Sequence, residues 1–218
     1  MDLSFYEFLG DGVGNDDIVE SVKAFLENKY QIKVVPDRIG NRFGHDEDDV
    51  VTVYYHPEGE EAFIFSVKYN LEAQTYSDDY LYRKVCYEIE KAINSVISKA
   101  NIQSMARVEM ISKNSLEEDL SVKDFAIKYP GITFLSYIVI NREYDETLIT
   151  NTLNELISSF DNVPNINSYL FFAESAEYEE AQKEITDLEY FSKSMLSNYF
   201  EKEPAIYRIE NKKIIKVK

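Results

Sequence analysis

Hydrophobic residues recur at helical spacing in several stretches of the chain. The first helix begins at Asn15, whose side chain suits an N-cap, and Asp16 and Asp17 follow at the positive end of the helix dipole. The helices predicted after it cover residues 79–99, 121–128, 145–160 and 176–200. Each has one apolar stripe, as expected of helices that cover a sheet.

Short segments rich in β-branched and aromatic residues lie between these helices and predict strands. The predicted strands cover residues 31–35, 50–55, 62–69, 105–111, 133–140, 167–173, 205–210 and 213–217. The segment 133–140 is nearly all apolar, which is typical of a central strand covered on both faces. The last two strands turn at Asn211 and Lys212 and form a C-terminal hairpin.

The order of these elements determines the expected fold. Strands that alternate with covering helices predict an α/β fold of three layers, with a central mixed sheet, helices on both faces and a C-terminal β-hairpin. No internal repeat or linker forces a division, so we expect the 218 residues to form a single domain. The arrangement also allows two halves, residues 1–112 and an α/β half over residues 113–218.

Charge narrows the range of functions. The chain has 23 Lys and Arg against 40 Asp and Glu, a net charge of −17. This argues against a protein that holds nucleic acid by its phosphates, and against an anionic membrane surface as partner. The acids concentrate in residues 1–20, 45–49 and 174–203. Tyr alternates with acids at Tyr87-Glu88 and within residues 177–180, which is more typical of a protein-binding surface than of base stacking.

The charge reverses at the C-terminus, where residues 211–218 carry four Lys and no acid. Two interpretations fit this basic hairpin. It can dock on an acidic neighbour or on another copy of the chain, or its lysines can simply resist edge-to-edge pairing of strands.

Cysteine and histidine are scarce. The lone Cys86 excludes an internal disulfide, and its place on the apolar side of a predicted helix indicates a core residue. His45 and His56 lie far from it in sequence, so no Cys-His pair is predicted. The first residues lack a signal-peptide pattern and no apolar run reaches membrane-spanning length, so we expect a cytoplasmic protein.

Residues 15–111 carry a partial catalytic pattern. Asp49 stands at the start of the second predicted strand, and Lys68 lies late in the third, two residues after Ser66 and on the same strand face. This order of elements and residues resembles the PD-(D/E)xK nuclease superfamily, which includes restriction-type and phage-defence nucleases. The resemblance implies that Asp49 binds Mg²⁺ and that Lys68 helps to activate the attacking water, with Glu20 as an additional acid.

The pattern departs from the family at Ser66, where a carboxylate is expected. A neutral hydroxyl is a weak Mg²⁺ ligand, so the site loses much of its metal affinity unless another acid, Glu20 or Glu88, replaces the missing one. The alternative is that Lys68 is a solvated residue at a strand end and Asp49 belongs to an acidic loop.

Two further segments invite a ligand-binding interpretation. The glycines within 10–14 precede a helix, as in phosphate-binding loops, but Asp11, Asp16 and Asp17 would face the phosphates, so a flexible turn is the expected structure. The run 45–49 holds one His and four carboxylates and can bind a divalent cation, although acidic loops are usually only solvated.

The sequence therefore favours a bacterial interaction protein whose acidic surface binds a basic protein partner without a cofactor. An immunity protein, an inhibitor or a subunit of an antiviral defence system fits this description. A degenerate nuclease-like scaffold is compatible with each of these roles. The alternative is an active Mg²⁺-dependent nuclease of a phage-defence system that uses Asp49, Lys68 and Glu20.

Overall fold

The computed structural model describes residues 15–40, 50–111, 116–141, 143, 145–159, 165–173, 176–181, 200, 205–210 and 213–217. The chain divides into two compact units, Met1–Arg83 and Lys84–Lys218. The boundary falls inside a long helix, so each unit is described by itself. Among the described residues, no helix combines the length and the apolar character needed to cross a membrane.

The described residues of the first unit form one helix, four strands and the beginning of the long helix. These elements are α1 (Asn15–Tyr30), β1 (Val34–Ile39), β2 (Val50–Pro57), β3 (Phe65–Asn70), β4 (Thr75–Asp78) and the first turn of α2 (Tyr80–Ser98). The strands form an antiparallel sheet in chain order, β1-β2-β3-β4, with Val53 opposite Val67 at its centre.

Helix α1 covers one face of this sheet because each presents an apolar surface to the other. Apolar residues recur about every 3.6 positions in the helix and at every second position in the strands. The buried residues that form this core include Ile18, Val19, Val22, Leu26, Val51, Val53, Tyr55, Phe65 and Val67. The phenolic group of Tyr55 donates a 2.6 Å hydrogen bond to the backbone oxygen of Val19, so the ring is buried without an unpaired polar atom. Ser66 and Lys68 alternate with Phe65 and Val67 and belong to the opposite face of the sheet.

The second unit contains the remainder of α2 and a five-stranded mixed sheet. Its elements are β5 (Ser104–Met110), α3 (Val122–Lys128), β6 (Thr133–Asn141), α4 (Glu146–Ser159), β7 (Asn165–Ala173), a helical segment at 176–181, β8 (Ala205–Glu210) and β9 (Lys213–Lys216). The strand order is β5-β6-β7-β8-β9. Only β6 and β7, which are joined through α4, pair in parallel.

Alternating residues of β6 and β7 are buried on both faces of the second sheet. On one face, Ile138, Ile140 and Leu170 contact apolar residues of α2 and α4. The opposite face packs against the helical segment 176–181, and its cluster contains Tyr137, Val139, Phe171, Ala173, Tyr178, Ala181 and Phe200. Helices therefore lie on both faces of a mixed sheet.

The predicted α/β class, the mixed sheet with helices on both faces and the C-terminal hairpin are confirmed. The strands divide between two sheets, and β4 was not predicted because its four residues are too short to show an alternating pattern. Strand β1 starts at Val34 rather than at Gln31, because Gln31 adopts a left-handed backbone conformation (φ 55°) where α1 ends. The predicted helix over residues 176–200 is described only at 176–181 and at residue 200.

Candidate functional site

Ser66 and Lys68 share the face of β3 that turns away from α1. Lys68 is exposed and stands between Thr52 of β2 and Ser77 of β4 in the strand register. Ser66 is half-buried and lies opposite Tyr54 of β2. The sequence prediction that Ser66 and Lys68 share one strand face is therefore confirmed.

Asp79 occupies the register position beside Ser66, directly after β4. The backbone N–H of Asp79 donates to the Ser66 carbonyl over 3.2 Å. In return, its carboxylate accepts two hydrogen bonds, from the Ser66 backbone N–H (2.7 Å) and from the Ser66 hydroxyl (2.9 Å). We call this arrangement the Ser66–Asp79 pair. A carboxylate thus lies beside Ser66, the position at which a metal-binding acid is expected from the sequence.

Burial dominates the electrostatics of this pair. Loss of solvent raises the pKa of Asp79 above its usual value of 3.8, because the charged form loses hydration. The hydrogen bonds from Ser66 and the nearby charge of Arg83 act in the opposite direction. Arg83 is itself buried at 4% exposure and donates from Nε to the Ile64 carbonyl over 3.3 Å. Asp79 is therefore a partly buried, hydrogen-bonded carboxyl group that holds its proton more tightly than a solvated one.

The other acids considered in the sequence lie elsewhere. Glu20 is exposed on α1, and α1 covers the sheet face opposite to that of Lys68. Glu88, in the second unit, accepts a 3.3 Å hydrogen bond from the Val122 backbone at the start of α3. Asp49, together with the rest of the run 45–49, lies outside the described residues. Within the first unit, the structure thus brings Asp79, and not Glu20, to Ser66.

A second buried carboxylate, Asp78, lies next to this pair but points toward α1. Its side chain is 1% exposed and accepts hydrogen bonds from Lys29 Nζ (2.8 Å) and the Tyr30 hydroxyl (2.6 Å). The backbone N–H of Tyr80 donates to it over 3.1 Å. Burial, followed by the bond to Asp78, raises the pKa of Tyr30. Asp78 therefore ties α1, β4 and α2 together, a structural role.

Sequence reasoning missed both Asp78 and Asp79. The signal available was a pair of acids directly before a helix, where carboxylates satisfy backbone N–H groups. That signal identifies a helix start but not the partner strand, because the bond to Ser66 depends on how β3 and β4 pair.

The remaining candidate motifs give no ligand site in the described part of the chain. Among the described residues, no three His, Cys, Asp or Glu side chains are grouped so as to hold a metal ion. The glycine segment 10–14 lies outside those residues. His56 is half-buried, and its Nδ1 lies 2.9 Å from the Pro57 carbonyl. Cys86 is buried in α2, as predicted.

Many basic side chains of the described residues contact acids. The ion pairs include Lys29–Asp78, Arg38–Asp37, Lys84–Asp119, Lys99–Glu155, Lys128–Glu118 and Lys216–Glu146. Because the acids outnumber the bases by 17, such pairing leaves a surplus of negative charge at the surface.

The surplus includes two groups of exposed acids on helices. In the first unit, Asp16, Asp17 and Glu20 are exposed on α1, and we call them the α1 acidic face. In the second unit, Glu177, Glu179 and Glu180 are exposed, and we call them the 176–181 acidic face. Tyr178 lies between Glu177 and Glu179, and Ala181 directly follows Glu180. Both are buried against the sheet, which fixes the outward direction of the acids.

Comparison with known proteins gives a fold relative but no family. No protein-family model matches the chain, and no curated protein matches it. Among solved structures, the chain is similar to a DUF5037 family protein from Ruminococcus gnavus, with a TM-score of 0.64 and 12% sequence identity. The match covers 90% of this chain and 94% of that one. At this identity the likeness shows the fold alone.

Proposed function

We propose that this chain is a cytoplasmic bacterial binding protein, not an enzyme, and that its acidic surface recognises a basic protein partner. The immunity protein, the inhibitor and the defence-system subunit are the classes that this chemistry fits. The observation that carries the proposal is that acids stay exposed on ordered helices while many bases are engaged in ion pairs.

The 176–181 acidic face is the better candidate of the two for the contact. Its three glutamates lie within four residues, on a segment held to the sheet by Tyr178 and Ala181. Because Tyr178 and Ala181 pack against the sheet, the backbone of the segment is already placed, so binding costs less conformational entropy than ordering a free segment. Concentrated negative charge also speeds encounter with a positive surface and disfavours acidic competitors.

Charge neutralisation tests this proposal. The variant E177Q/E179Q/E180Q removes three charges from the 176–181 acidic face, and D16N/D17N/E20Q removes three from the α1 acidic face as a matched control. Each protein is used to capture basic proteins from a lysate of its own source cell, with quantification by mass spectrometry at low and at moderate salt.

We expect the wild type to retain a basic protein and to lose it as salt rises, because screening weakens the attraction. The E177Q/E179Q/E180Q variant should retain about tenfold less, as expected when charges at an interface are removed, and the control variant should resemble the wild type. Capture that depends neither on salt nor on these glutamates would contradict the proposal.

A degenerate nuclease-like scaffold is compatible with this function. In that case Ser66 binds Asp79 instead of a metal, so both oxygens of the carboxylate accept hydrogen bonds from protein. The pair then serves the fold, and the chain depends on a partner for any contact with nucleic acid.

The Ser66–Asp79 pair also supports the second candidate, an active Mg²⁺-dependent nuclease in which Asp79 replaces the missing acid on the Lys68 face. Its test is cleavage of DNA and RNA with Mg²⁺ or Mn²⁺. The wild type would then cleave nucleic acid, K68A and D79N would not, and the exposed-lysine control K33A would keep the activity. That result would establish nuclease activity and reject a purely binding role. We expect no cleavage in any of the four proteins.

A further inference from the structure

Strand β9 forms one edge of the second sheet, and its backbone direction follows from one hydrogen bond. The N–H of Val217 donates to the Ile206 carbonyl over 2.8 Å. In an antiparallel ladder the bonded pairs alternate, so Lys213 and Ile215 also direct their N–H and C=O groups toward β8. Ile214, between them, turns its N–H and C=O groups outward. Among the described residues, no strand pairs with this outer edge.

The side chains of β9 differ from those of a purely protective edge. Ile215 is 45% exposed and Val217, just after the strand, is 53% exposed, and both lie on the same face as the exposed Lys213. A short edge strand with lysines is already protected against aggregation, so the exposed apolar side chains of Ile215 and Val217 are a separate feature that such protection does not require. The combination of outward backbone groups, apolar side chains and lysine is instead that of a strand-addition site.

We propose that the outer edge of β9 binds an extended, acidic peptide segment of another protein as an additional strand. Backbone bonds to Ile214 would provide affinity, and acids opposite Lys213 with apolar residues near Ile215 and Val217 would provide selectivity. This site is separate from the acidic faces and does not rest on the function proposed above.

Charge decides against a second copy of the chain as the occupant. Pairing of two β9 strands would bring together the 211–218 segments of both copies, each with four Lys and no acid. Like charges that approach across a strand pair destabilise it. Lys216 is already engaged by Glu146 of α4 over 2.8 Å, so Lys213 is the residue that selects an acid.

The test follows backbone amide exchange by NMR in the full chain. The probe, called the Glu-Val peptide, is a short peptide whose alternate residues are Glu, Val and Val with Thr between them, so that one face of the added strand carries an acid for Lys213 and apolar side chains for Ile215 and Val217. The matched control peptide has Lys in place of Glu. We expect exchange at Ile214 to slow about fivefold at saturation, the factor that one net hydrogen bond gives, with the Glu-Val peptide only. No slowing, or slowing with both peptides, would overturn the proposal. Protection that rises with protein concentration in the absence of peptide would show a second copy as the occupant and would also overturn it.

Two pairs of variants distinguish backbone pairing at Ile214 from unspecific electrostatic attraction between the peptide and the protein. I214P removes the outward N–H, whereas I214A keeps it and loses the same side chain, so I214P should abolish peptide binding and I214A should retain it. K213E should weaken binding of the Glu-Val peptide about tenfold, whereas K33E, the same change at an exposed lysine of the first unit, should not. If K33E and K213E weaken binding equally, the attraction is unspecific and the proposal fails.

Discussion

Asp79 combines burial, which favours its neutral form, with hydrogen bonds that favour its charged form. Burial is the larger influence, so the pKa of Asp79 in the folded protein lies above 3.8. The neutral form is then favoured in the folded state. Protonated Asp79 makes its full contribution to the free energy of unfolding at pH values below its pKa in the unfolded chain. This contribution is lost as the pH rises through its pKa in the folded protein.

This sign gives a prediction for D79N, which cannot titrate at this position. The free energy of unfolding of the wild type minus that of D79N should be largest below about pH 4 and should decrease to a plateau above the raised pKa. Urea denaturation over a pH series measures it. S66A removes the hydroxyl bond to the ionised carboxylate, so the decrease should extend to higher pH in that background. A difference that grows with pH would contradict the assignment.

Glu90 shows the cost of removing a buried acceptor. It is 4% exposed, and its carboxylate accepts a 2.8 Å hydrogen bond from the Val108 backbone N–H. E90A leaves that N–H buried without this acceptor and should lower the free energy of unfolding by about 2 kcal/mol. The matched change E155A, at the exposed pair of Lys99 and Glu155, should cost no more than about 0.5 kcal/mol. Equal losses in chemical denaturation would contradict this explanation.

Strands β6 and β7 are held together by more than their backbone ladder. Ser136 and Ser168 are opposite each other in the register and fully buried, and the Ser136 hydroxyl donates to that of Ser168 over 2.7 Å. The sequence shows them only as two polar residues in apolar strands. Parallel pairing in one register brings them together.

We expect S136A and S168A each to cost about 1–2 kcal/mol, because each leaves a buried hydroxyl without its partner. The double variant should cost less than the sum, because no unpaired hydroxyl remains. Thermal and urea denaturation of the four proteins measure the coupling. Strict additivity would indicate that the two hydroxyls do not interact.

The two edge strands of the second sheet, β5 and β9, differ in whether a side chain binds their outward backbone groups. Strand β5 is covered where Glu90 of α2 binds the N–H of Val108, an edge group that β6 does not use. The outward groups of Ile214 on β9 have no such cover among the described residues. This contrast between a capped edge and an open edge supports the strand-addition proposal for β9.

The net charge of −17 acts on the molecule as a whole. Excess like charge destabilises a compact state by self-repulsion. Raising NaCl from about 0.01 M to about 0.15 M shortens the Debye length from about 30 Å to about 8 Å. The melting temperature should therefore rise by several degrees, as scanning calorimetry can test. A fall would show that the ion pairs outweigh the repulsion.

Much of the architecture could be predicted because it depends on local periodicity. The stripe that includes Leu81 and Ile89 identifies α2, and the apolar run 133–140 identifies a central strand. The distribution of strands between two sheets could not be predicted, because pairing joins residues far apart in the chain. The candidate site was predicted in part: Ser66 and Lys68 share a face, but their acidic neighbour was not identified.

By itself, the sequence determined the helices and most strands, the α/β class, the surplus of acids and the basic C-terminal hairpin. These properties follow from composition and from spacings within single elements, and they survive any arrangement of those elements. The tertiary structure decided that Asp79 lies beside Ser66, that the acids on 176–181 face outward and that none of the described strands pairs with the outer edge of β9. Each depends on strand register and burial, which arise only when distant segments pack and exclude water.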